Sequence, residues 1–440
     1  MAAPTADSST TTGAERERPA PEQAGAASSP FDSLPQPVLE LDPDVPHAAD
    51  YYSYADLLTD PERDLLRRLR TYLASDVAPV VEQAWESGEF PPELVSGFAA
   101  LDLAGVPYGI GTADGEPARR LFMGFLHLEI ARIDPGVNSF FGVHTGLAMG
   151  SIAACGTEEQ RERWLPAMAR MESIGAFGLT EPHGGSDVAG GMETTARREG
   201  DEWVIDGHKR WIGNATLADV IVIWARDADT AADGAVRGFV VAHDTPGVTV
   251  SKIEGKTALR IVQNADITLD GVRVPDSDRL SGGKGTFADA GGVLRRTRGN
   301  AAWGAVGTQM AAYELALSYA QQREQFGRPI AGFQMMQDLL VKMLANVTAS
   351  LGMAVRNAQL IDSGGGSDAH SALAKEFCAS RMRETVAWAR QLVGGNGIIL
   401  SNGVARYFAD AEALFSFEGT REMNTLIVGK AITGHSAFTH

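Results

Sequence analysis

The chain has 440 residues, 44% hydrophobic and 21% charged, enough apolar material for two or three compact units of ordinary globular texture. Its net charge of −18 argues against a nucleic-acid partner, because phosphate-backbone binding needs a concentrated basic face, although a few local donors can still hold a phosphorylated cofactor. The two cysteines, Cys155 and Cys378, are far apart and read as buried thiols rather than as a disulfide or metal pair.

Residues 1–48 are rich in Ala, Ser, Thr, Pro and acidic side chains and lack the apolar stretch of a secretory signal, while Asp7, Glu15 and Glu17 fit an organelle transit peptide poorly. The expectation is a disordered tail on a cytoplasmic protein. No membrane insertion is expected, since no stretch reaches the ~18–20 apolar residues that span a bilayer. The ending Phe438-Thr439-His440 is not a peroxisomal address.

Residues 51–175 then read as an N-terminal helical domain. Leu65, Leu66, Leu69 and Leu73 recur at helical spacing, as do Phe122, Leu126, Ile130 and Ile133, and Asp60-Pro61-Glu62 reads as a cap followed by proline. Residues 176–288 change to strand texture. Trp203-Val204-Ile205 follows the turn signal Gly200-Asp201, and further short runs occur at 220–224, 238–241, Val248/Val250, Ile267/Leu269 and Val272/Val274. Strands this short and close predict a small antiparallel β-sandwich or barrel. Residues 289–440 return to the helical period, with Met336, Leu339, Leu340, Met343, Leu344 and Val347 on one stripe and Gly364-Gly365-Gly366-Ser367 as the loop before the next long helix. The fold class is α+β multidomain: helical domain, β domain, helical bundle.

Three segments carry chemistry. Phe177-Gly178-Leu179-Thr180-Glu181-Pro182-His183-Gly184-Gly185-Ser186-Asp187 is a strand that breaks into a turn dense in glycine and hydroxyls, where backbone can approach a ligand. On residues alone it is as readily an ordinary loop. Lys209-Arg210-Trp211-Ile212-Gly213-Asn214 offers an indole that either stacks on a planar ring or closes the β core. Phe417-Glu418-Gly419-Thr420-Arg421-Glu422 places a carboxylate beside Leu414, Phe415 and Phe417, where desolvation would raise its basicity; an exposed capping glutamate is the plainer reading. Gly282-Gly283-Lys284-Gly285-Thr286 lacks the Ser/Thr of a phosphate loop, no histidine pair has metal-ligand spacing, and His144 and His183 read as packing or hydrogen-bonding residues.

Taken together, these segments resemble the acyl-CoA dehydrogenase family over about residues 55–438. Leu-Thr-Glu-Pro-x-x-Gly-Ser-Asp is similar to its flavin loop and Lys-x-Trp-Ile-x-Asn to its second flavin contact. The likeness continues through Arg323-Glu324-Gln325-Phe326-Gly327 with Gln334, through Gln391-Leu392-Val393-Gly394-Gly395-Asn396-Gly397, and ends at Glu418-Gly419-Thr420 and Ile432-Thr433-Gly434. Within the family the pattern most resembles glutaryl-CoA dehydrogenases and short-chain acyl-CoA oxidases. The resemblance implies the family's three-domain fold with a four-helix C-terminal bundle, one FAD per subunit, an acyl-CoA substrate, an electron-transfer flavoprotein as acceptor and a homotetramer.

Carried over by position, the resemblance makes Glu418 the base for the α-proton while the β-hydrogen leaves as hydride to flavin N5. FAD contacts would come from Phe177, Leu179, Thr180, Ser186, Trp211, Ile212, Gly213, Thr420 and Phe438, with Arg323, Phe326, Gln334, Gln391, Gly394 and Gly395 serving a neighbouring subunit's FAD. Asn138, Ser139, Ser186, Arg298 and Gly419 would face the acyl-CoA. Two departures matter. Asn138 stands where glutaryl-CoA dehydrogenases carry the arginine that pairs with a distal carboxylate, so a short or medium monocarboxylic chain is expected over a dicarboxylic one. Gly213 replaces a threonine near flavin N5, a form shared with plant short-chain acyl-CoA oxidases, which keeps an oxidase using O2 as an alternative. Glutaryl-CoA dehydrogenation with decarboxylation and a non-catalytic flavin-binding scaffold are the remaining alternatives.

Overall fold

The computed structural model describes residues 36–230 and 235–437. Up to position 35 the expected tail lies outside the described residues, as does Phe438. Residues 36–48, assigned to the tail from composition, are instead anchored. Leu39 and Leu41 pack against the main core, Arg132 donates to the Glu40 carbonyl at 2.7 Å, and His47 bonds the buried Glu129 at 2.8 Å. A few polar anchors, not an apolar period, hold this stretch, which is why its composition misled.

The helical domain comprises α1 (Asp60–Tyr72), α2 (Val81–Ser87), α3 (Glu93–Ala100), α4 (Arg120–Ile133), α5 (Pro135–Gly142), α6 (Met149–Cys155) and α7 (Glu158–Ala169), with α5 passing into α6 through a π-helical stretch, Val143–Ala148. The cap of α1 is Thr59, one residue before the expected Asp60. Its hydroxyl accepts from the Glu62 N–H while the Glu62 carboxylate accepts from the Thr59 N–H at 2.8 Å, satisfying two orphan donors at once.

The middle strands are β1 (Gly175–Gly178), β2 (Thr195–Glu199), β3 (Glu202–Ile212), β4 (Val220–Asp227), β5 (Val236–Ala242), β6 (Val248–Lys252) and β7 (Ala265–Pro275). They form one seven-stranded sheet in the order β1-β4-β2-β3-β7-β6, with β5 also on β4. The β2–β3 hairpin turns at Gly200-Asp201, with Gly200 at φ 66°, and β7 unites in one strand the two apolar pairs read separately from sequence. Hairpin partners must run antiparallel, whereas β1 reaches the sheet through the long 179–194 loop and pairs β4 in parallel, as β2 also does.

The bundle follows: α8 (Phe287–Gln322), the small hairpin β8 (Glu324–Gln325) with β9 (Arg328–Pro329), α9 (Gln334–Asp362), α10 (Asp368–Val393), α11 (Val404–Ser416) and α12 (Arg421–Thr433). One core joins bundle and N-terminal helices, from Leu69 and Phe98 to Val306, Met343 and Val386, while the sheet has a separate apolar cluster on each face. By length and composition α9 could cross a bilayer, contrary to the sequence expectation; half of its apolar window is buried inside the molecule, so core packing accounts for that apolarity. Both cysteines are free and buried.

A buried polar knot ties all three regions together. Asp134 caps α5 and pairs with Arg406 at 2.7 Å, while Asp410 accepts from Trp85 Nε1 at 2.9 Å and the Leu259 N–H at 2.6 Å. Burial, reinforced by the Asp134 charge, pushes the Asp410 carboxyl up to about 7. Its Oδ2 has no partner among the described residues. Because the native group binds a proton that the unfolded carboxyl (~3.9) has released, this site makes stability fall as pH rises from about 4 to about 7. Asp410→Asn keeps the accepting oxygen and removes the titration, so its urea midpoint should change less over that window than the wild type's. Parallel pH profiles for the two proteins would exclude Asp410 as the source.

Candidate active site

The first two chemical segments meet in space. Where β1 ends, the Thr180 carbonyl accepts from the Arg210 N–H at 2.8 Å, and Lys209 Nζ donates to the Leu179 carbonyl at 3.2 Å. The side chains of Phe177, Leu179 and Ile212 are buried in the β core, so these residues can offer a ligand only backbone. Ser186 is exposed and Thr180 half-buried, and neither hydroxyl is bonded among the described residues. Trp211 lies at an irregularity in the pairing of β3 with β7, at φ 64°, and is 51% exposed, flanked by the Arg210 guanidinium at 5.0 Å. A bulky residue in the left-handed region with an uncovered indole is strain that core packing does not explain. Behind it, Asn214 is buried and donates to the Phe140 carbonyl at 3.0 Å, fixing the turn to α5.

The third segment is the turn between α11 and α12. Glu418 adopts φ 55°, again left-handed, and its half-buried carboxylate accepts from Thr297 Oγ1 on α8 at 2.9 Å through Oε2. Burial raises its pKa above the ordinary carboxylate value, against the opposing effects of the Thr297 hydrogen bond, Arg298 and Lys375. Among the described residues Oε1 and the Glu418 backbone N–H have no partner. Gly419 and Thr420 face the other way: the Gly419 carbonyl accepts from Lys375 and Asn424, both at 2.9 Å, and the Thr420 hydroxyl caps α12 by accepting from the Met423 N–H at 3.2 Å. Arg298 is buried and paired with Asp368 at the start of α10.

A chain of close approaches links the tryptophan turn to the glutamate. A Cβ on Gly213 would lie 3.2 Å from Val143, and one on Gly146, a turn further along, 3.0 Å from Thr297. The seam between this helix and α8 runs on past Gly142 to Asn138, whose Nδ2 would be 2.9 Å from a Cβ on Gly304. Gly304 is seven residues, roughly 10 Å, along α8 from Thr297. At that far end Asn138 is half-buried and its Oδ1 bonds His127 Nδ1 at 2.8 Å, while Ser139 spends its hydroxyl on the Pro135 carbonyl at 2.9 Å. Burial pushes His127 down to about 4, so it is neutral at pH 7.

Arg323, Phe326, Gln334, Gln391, Gly394 and Gly395 are not part of this constellation. They gather at the opposite end of the bundle, where Asn396 bonds the Tyr319 hydroxyl at 3.0 Å. From Thr297 to Arg323, α8 spans 26 residues, on the order of 40 Å. Phe326 there is 95% exposed at φ 54°.

Sequence comparison decides the family. The acyl-CoA dehydrogenase N-terminal, middle and C-terminal domain profiles match residues 59–172, 176–272 and 283–433. The chain belongs to the acyl-CoA dehydrogenase family. It is 32% identical to an acyl-CoA dehydrogenase of Bacillus subtilis (strain 168) over 378 residues, covering 85% of this chain and 98% of that one. It is 30% identical to the caffeyl-CoA reductase-Etf complex subunit CarC of Acetobacterium woodii over 351 residues, covering 79% and 92%. Two crystal structures of glutaryl-CoA dehydrogenase from Mycobacterium smegmatis, one in complex with FADH2, superpose with a TM-score of 0.83 at 36% and 34% identity, each over 90% of this chain and 100% of that one.

This acyl-CoA dehydrogenase is therefore an oxidoreductase, and FAD is its cofactor. The residues present fit it: an uncovered indole, the open glycine turn at 184–185 with the free Ser186 hydroxyl, and a carboxylate across the seam. Five side chains were not singled out in the sequence reading. Thr297 on Glu418 and His127 on Asn138 are single residues inside long helices. Lys375 looks like any helical lysine. The Lys209–Glu181 pair sits within the first two motifs, but only its burial, at 0% and 3% exposure, reveals that it holds the 179–194 loop. His144, by contrast, is structural as read, donating through Nε2 to the Met168 carbonyl and accepting from the Gly175 N–H, both at 3.0 Å. In the Gly282–Thr286 loop the Lys284 and Gly285 N–H groups donate to the Asp289 carboxylate and the Gly282 N–H to the Cys155 carbonyl.

Proposed function

We propose that the protein dehydrogenates a short or medium monocarboxylic acyl-CoA across Cα–Cβ, with Glu418 as base and an electron-transfer flavoprotein as acceptor. The observation that carries this reading is the Glu418 carboxylate, held by Thr297 through one oxygen and left with the other free. Thr297 fixes the angle of the carboxylate, so Oε1 can take the α-proton. The unpartnered N–H of Glu418 is placed to donate to a thioester oxygen, where enolate-like charge develops as the proton leaves. Bound FAD supplies the acceptor for the β-hydride.

The CoA moiety has a matching cavity. A space of about 360 Å³ is lined by Arg120, Arg295, Arg296, Ser367, Asp368 and Ser371 among others. None of the three arginines has a carboxylate partner within salt-bridge distance among the described residues. Asp368 both lines the cavity and holds Arg298, so the arginine-rich space adjoins the turn of α8 that carries Thr297. Three guanidinium groups without a direct salt bridge, against the two carboxylates of Asp289 and Asp368 in the same lining, suit phosphates.

Two observations favour a monocarboxylic acyl group. Asn138 supplies no charge, and the neighbouring His127 is held neutral by burial. The nearest arginine in sequence, Arg132, is committed to Glu314 at 2.6 Å and to the Glu40 carbonyl. A distal carboxylate would therefore be buried without a cation. The caffeyl-CoA reductase-Etf relative supports a flavoprotein acceptor. The remote cluster of Arg323, Gln334 and Gln391–Gly395, ringed by exposed Phe326, Met335 and Ile399, supports a homotetramer in which it serves a neighbour's FAD.

Anaerobic mixing of the purified yellow protein with an acyl-CoA series is the test. Saturated monocarboxylic substrates should bleach the flavin, and glutaryl-CoA should do so at least about tenfold less efficiently than butyryl-CoA, the cost of roughly 1.4 kcal/mol. No bleaching with any chain length would defeat the reading, and glutaryl-CoA as the best substrate would defeat its monocarboxylic part. The oxidase alternative is favoured by Gly213, where a side chain would press on Val143 and the flavin-edge hydroxyl is missing. It requires rapid peroxide formation in air without an added acceptor.

A further inference from the structure

We propose that Lys375 is a positioning residue for the catalytic base, clamping both sides of the turn that carries Glu418. This rests on the reading of Glu418 as the base.

Lys375 projects from the middle of α10 and is 1% exposed. Its ammonium donates to the Phe415 carbonyl at 2.8 Å and to the Gly419 carbonyl at 2.9 Å. Phe415 lies in the last turn of α11, where carbonyls have no intrahelical donor. Gly419 directly follows the base. One side chain therefore bridges the segment in which the chain leaves α11, passes Glu418 at φ 55° and turns into α12. Asn424 completes the clamp by donating to the Gly419 and Thr420 carbonyls, each at 2.9 Å.

The location is unusual for a lysine. A buried ammonium is costly to desolvate, and among the described residues no carboxylate lies within salt-bridge distance of it. Burial accordingly draws its pKa down to about 8, with Glu418 the leading opposing charge. Two backbone carbonyls could be satisfied by a neutral donor. A cation adds an attraction to the carboxylate beyond the turn, which opposes the burial of Glu418 and favours its ionised, proton-accepting form. Lys375 so acts on the base in two ways, by fixing the strained backbone and by supplying nearby positive charge. Besides Lys375, Glu418 feels Arg298 on α8, and Lys375 in turn feels Arg298, Glu422 on α12 and Glu376 on α10.

The test compares Lys375→Met and Lys375→Arg in the FAD-loaded protein. For Lys375→Met the rate of anaerobic flavin reduction should fall on the order of 10²-fold, the scale expected for an ångström-level misplacement, with substrate affinity little changed. The pH midpoint of the reduction rate should move to higher pH. Amide hydrogen exchange should accelerate selectively at 415–420. Lys375→Arg keeps the charge and should retain a midpoint near the wild type's even if the rate is lower. An unmoved midpoint and unchanged exchange at 415–420 in Lys375→Met would overturn the proposal, as would an equal midpoint shift in both variants. Should Lys375→Met fail to fold, the Arg variant's midpoint decides alone. If the wild type bleaches with no acyl-CoA, the base assignment itself has failed, and the exchange arm still reports whether the clamp exists.

Discussion

Glu418→Gln is expected to retain FAD and its yellow colour but to lose flavin bleaching by acyl-CoA, with a fall in rate of about 10²–10⁴-fold, the usual worth of a positioned general base. Glutamine matches the shape of glutamate and still accepts from Thr297, so the fold and the turn should persist. Only the ability to take a proton disappears. A variant that bleaches at a rate within a few-fold of the wild type would remove Glu418 from the mechanism. The pH profile carries the same information with a definite sign. A base works when ionised, and burial has raised this carboxyl above its ordinary value. The wild-type reduction rate should thus climb as pH rises through that raised pKa. Removing the Thr297 hydrogen bond with Thr297→Val should shift the climb to higher pH, since that bond stabilises the charged form. The same group contributes native stability below its raised pKa that is lost as it ionises, so Glu418→Gln should be at least as stable as the wild type near neutral pH.

How far such arguments could run from sequence alone depended on the kind of signal. The loop at 177–187 and the turns at 211–214 and 418–420 stood out because glycine, hydroxyl and aromatic residues are concentrated where the regular period breaks. Their convergence did not stand out, because it depends on α5 and α8 lying side by side so that Gly213, Val143, Gly146, Thr297 and Glu418 fall in line. Helical periodicity identified the bundle, yet it could not tell that Lys375 is buried, since one lysine on an otherwise ordinary helix leaves no pattern. Motif order also hid distance. Gln391–Gly395 stands closer in sequence to Glu418 than Thr297 does, and the rigid length of the long helices puts it at the opposite end of the bundle. The anchored stretch at 36–48 failed for the complementary reason: scattered contacts hold it, among them the packing of Leu39 and Leu41 and the polar bonds of Glu40 and His47, and composition cannot foresee them.

The 179–194 loop should prove the most sensitive place in the β domain. Glu181 and Lys209 form a buried pair at 2.7 Å that fastens both ends of the 179–194 loop. The lysine also donates to the Leu179 carbonyl, and the carboxylate also accepts from the Glu193 and Thr194 N–H groups. Burial works to raise the Glu181 carboxyl, but Lys209 and the N–H donors outweigh it and hold it below the usual range. Its contribution to stability is therefore present above the unfolded carboxylate value of ~4.3 and is lost as pH falls through the depressed native value. Lys209→Met leaves that carboxylate buried without a counter-ion and should cost about 3–5 kcal/mol, read as a lowered urea midpoint, together with loss of FAD on gel filtration. Glu181→Gln keeps an oxygen for one N–H and should cost less. Adding it to Lys209→Met should restore part of the loss, because the pair's charges are then removed together. A Lys209→Met variant within about 1 kcal/mol of the wild type would mean that the loop is held by its backbone alone. Strict additivity in the double variant would mean that the two charges do not sense each other across 2.7 Å.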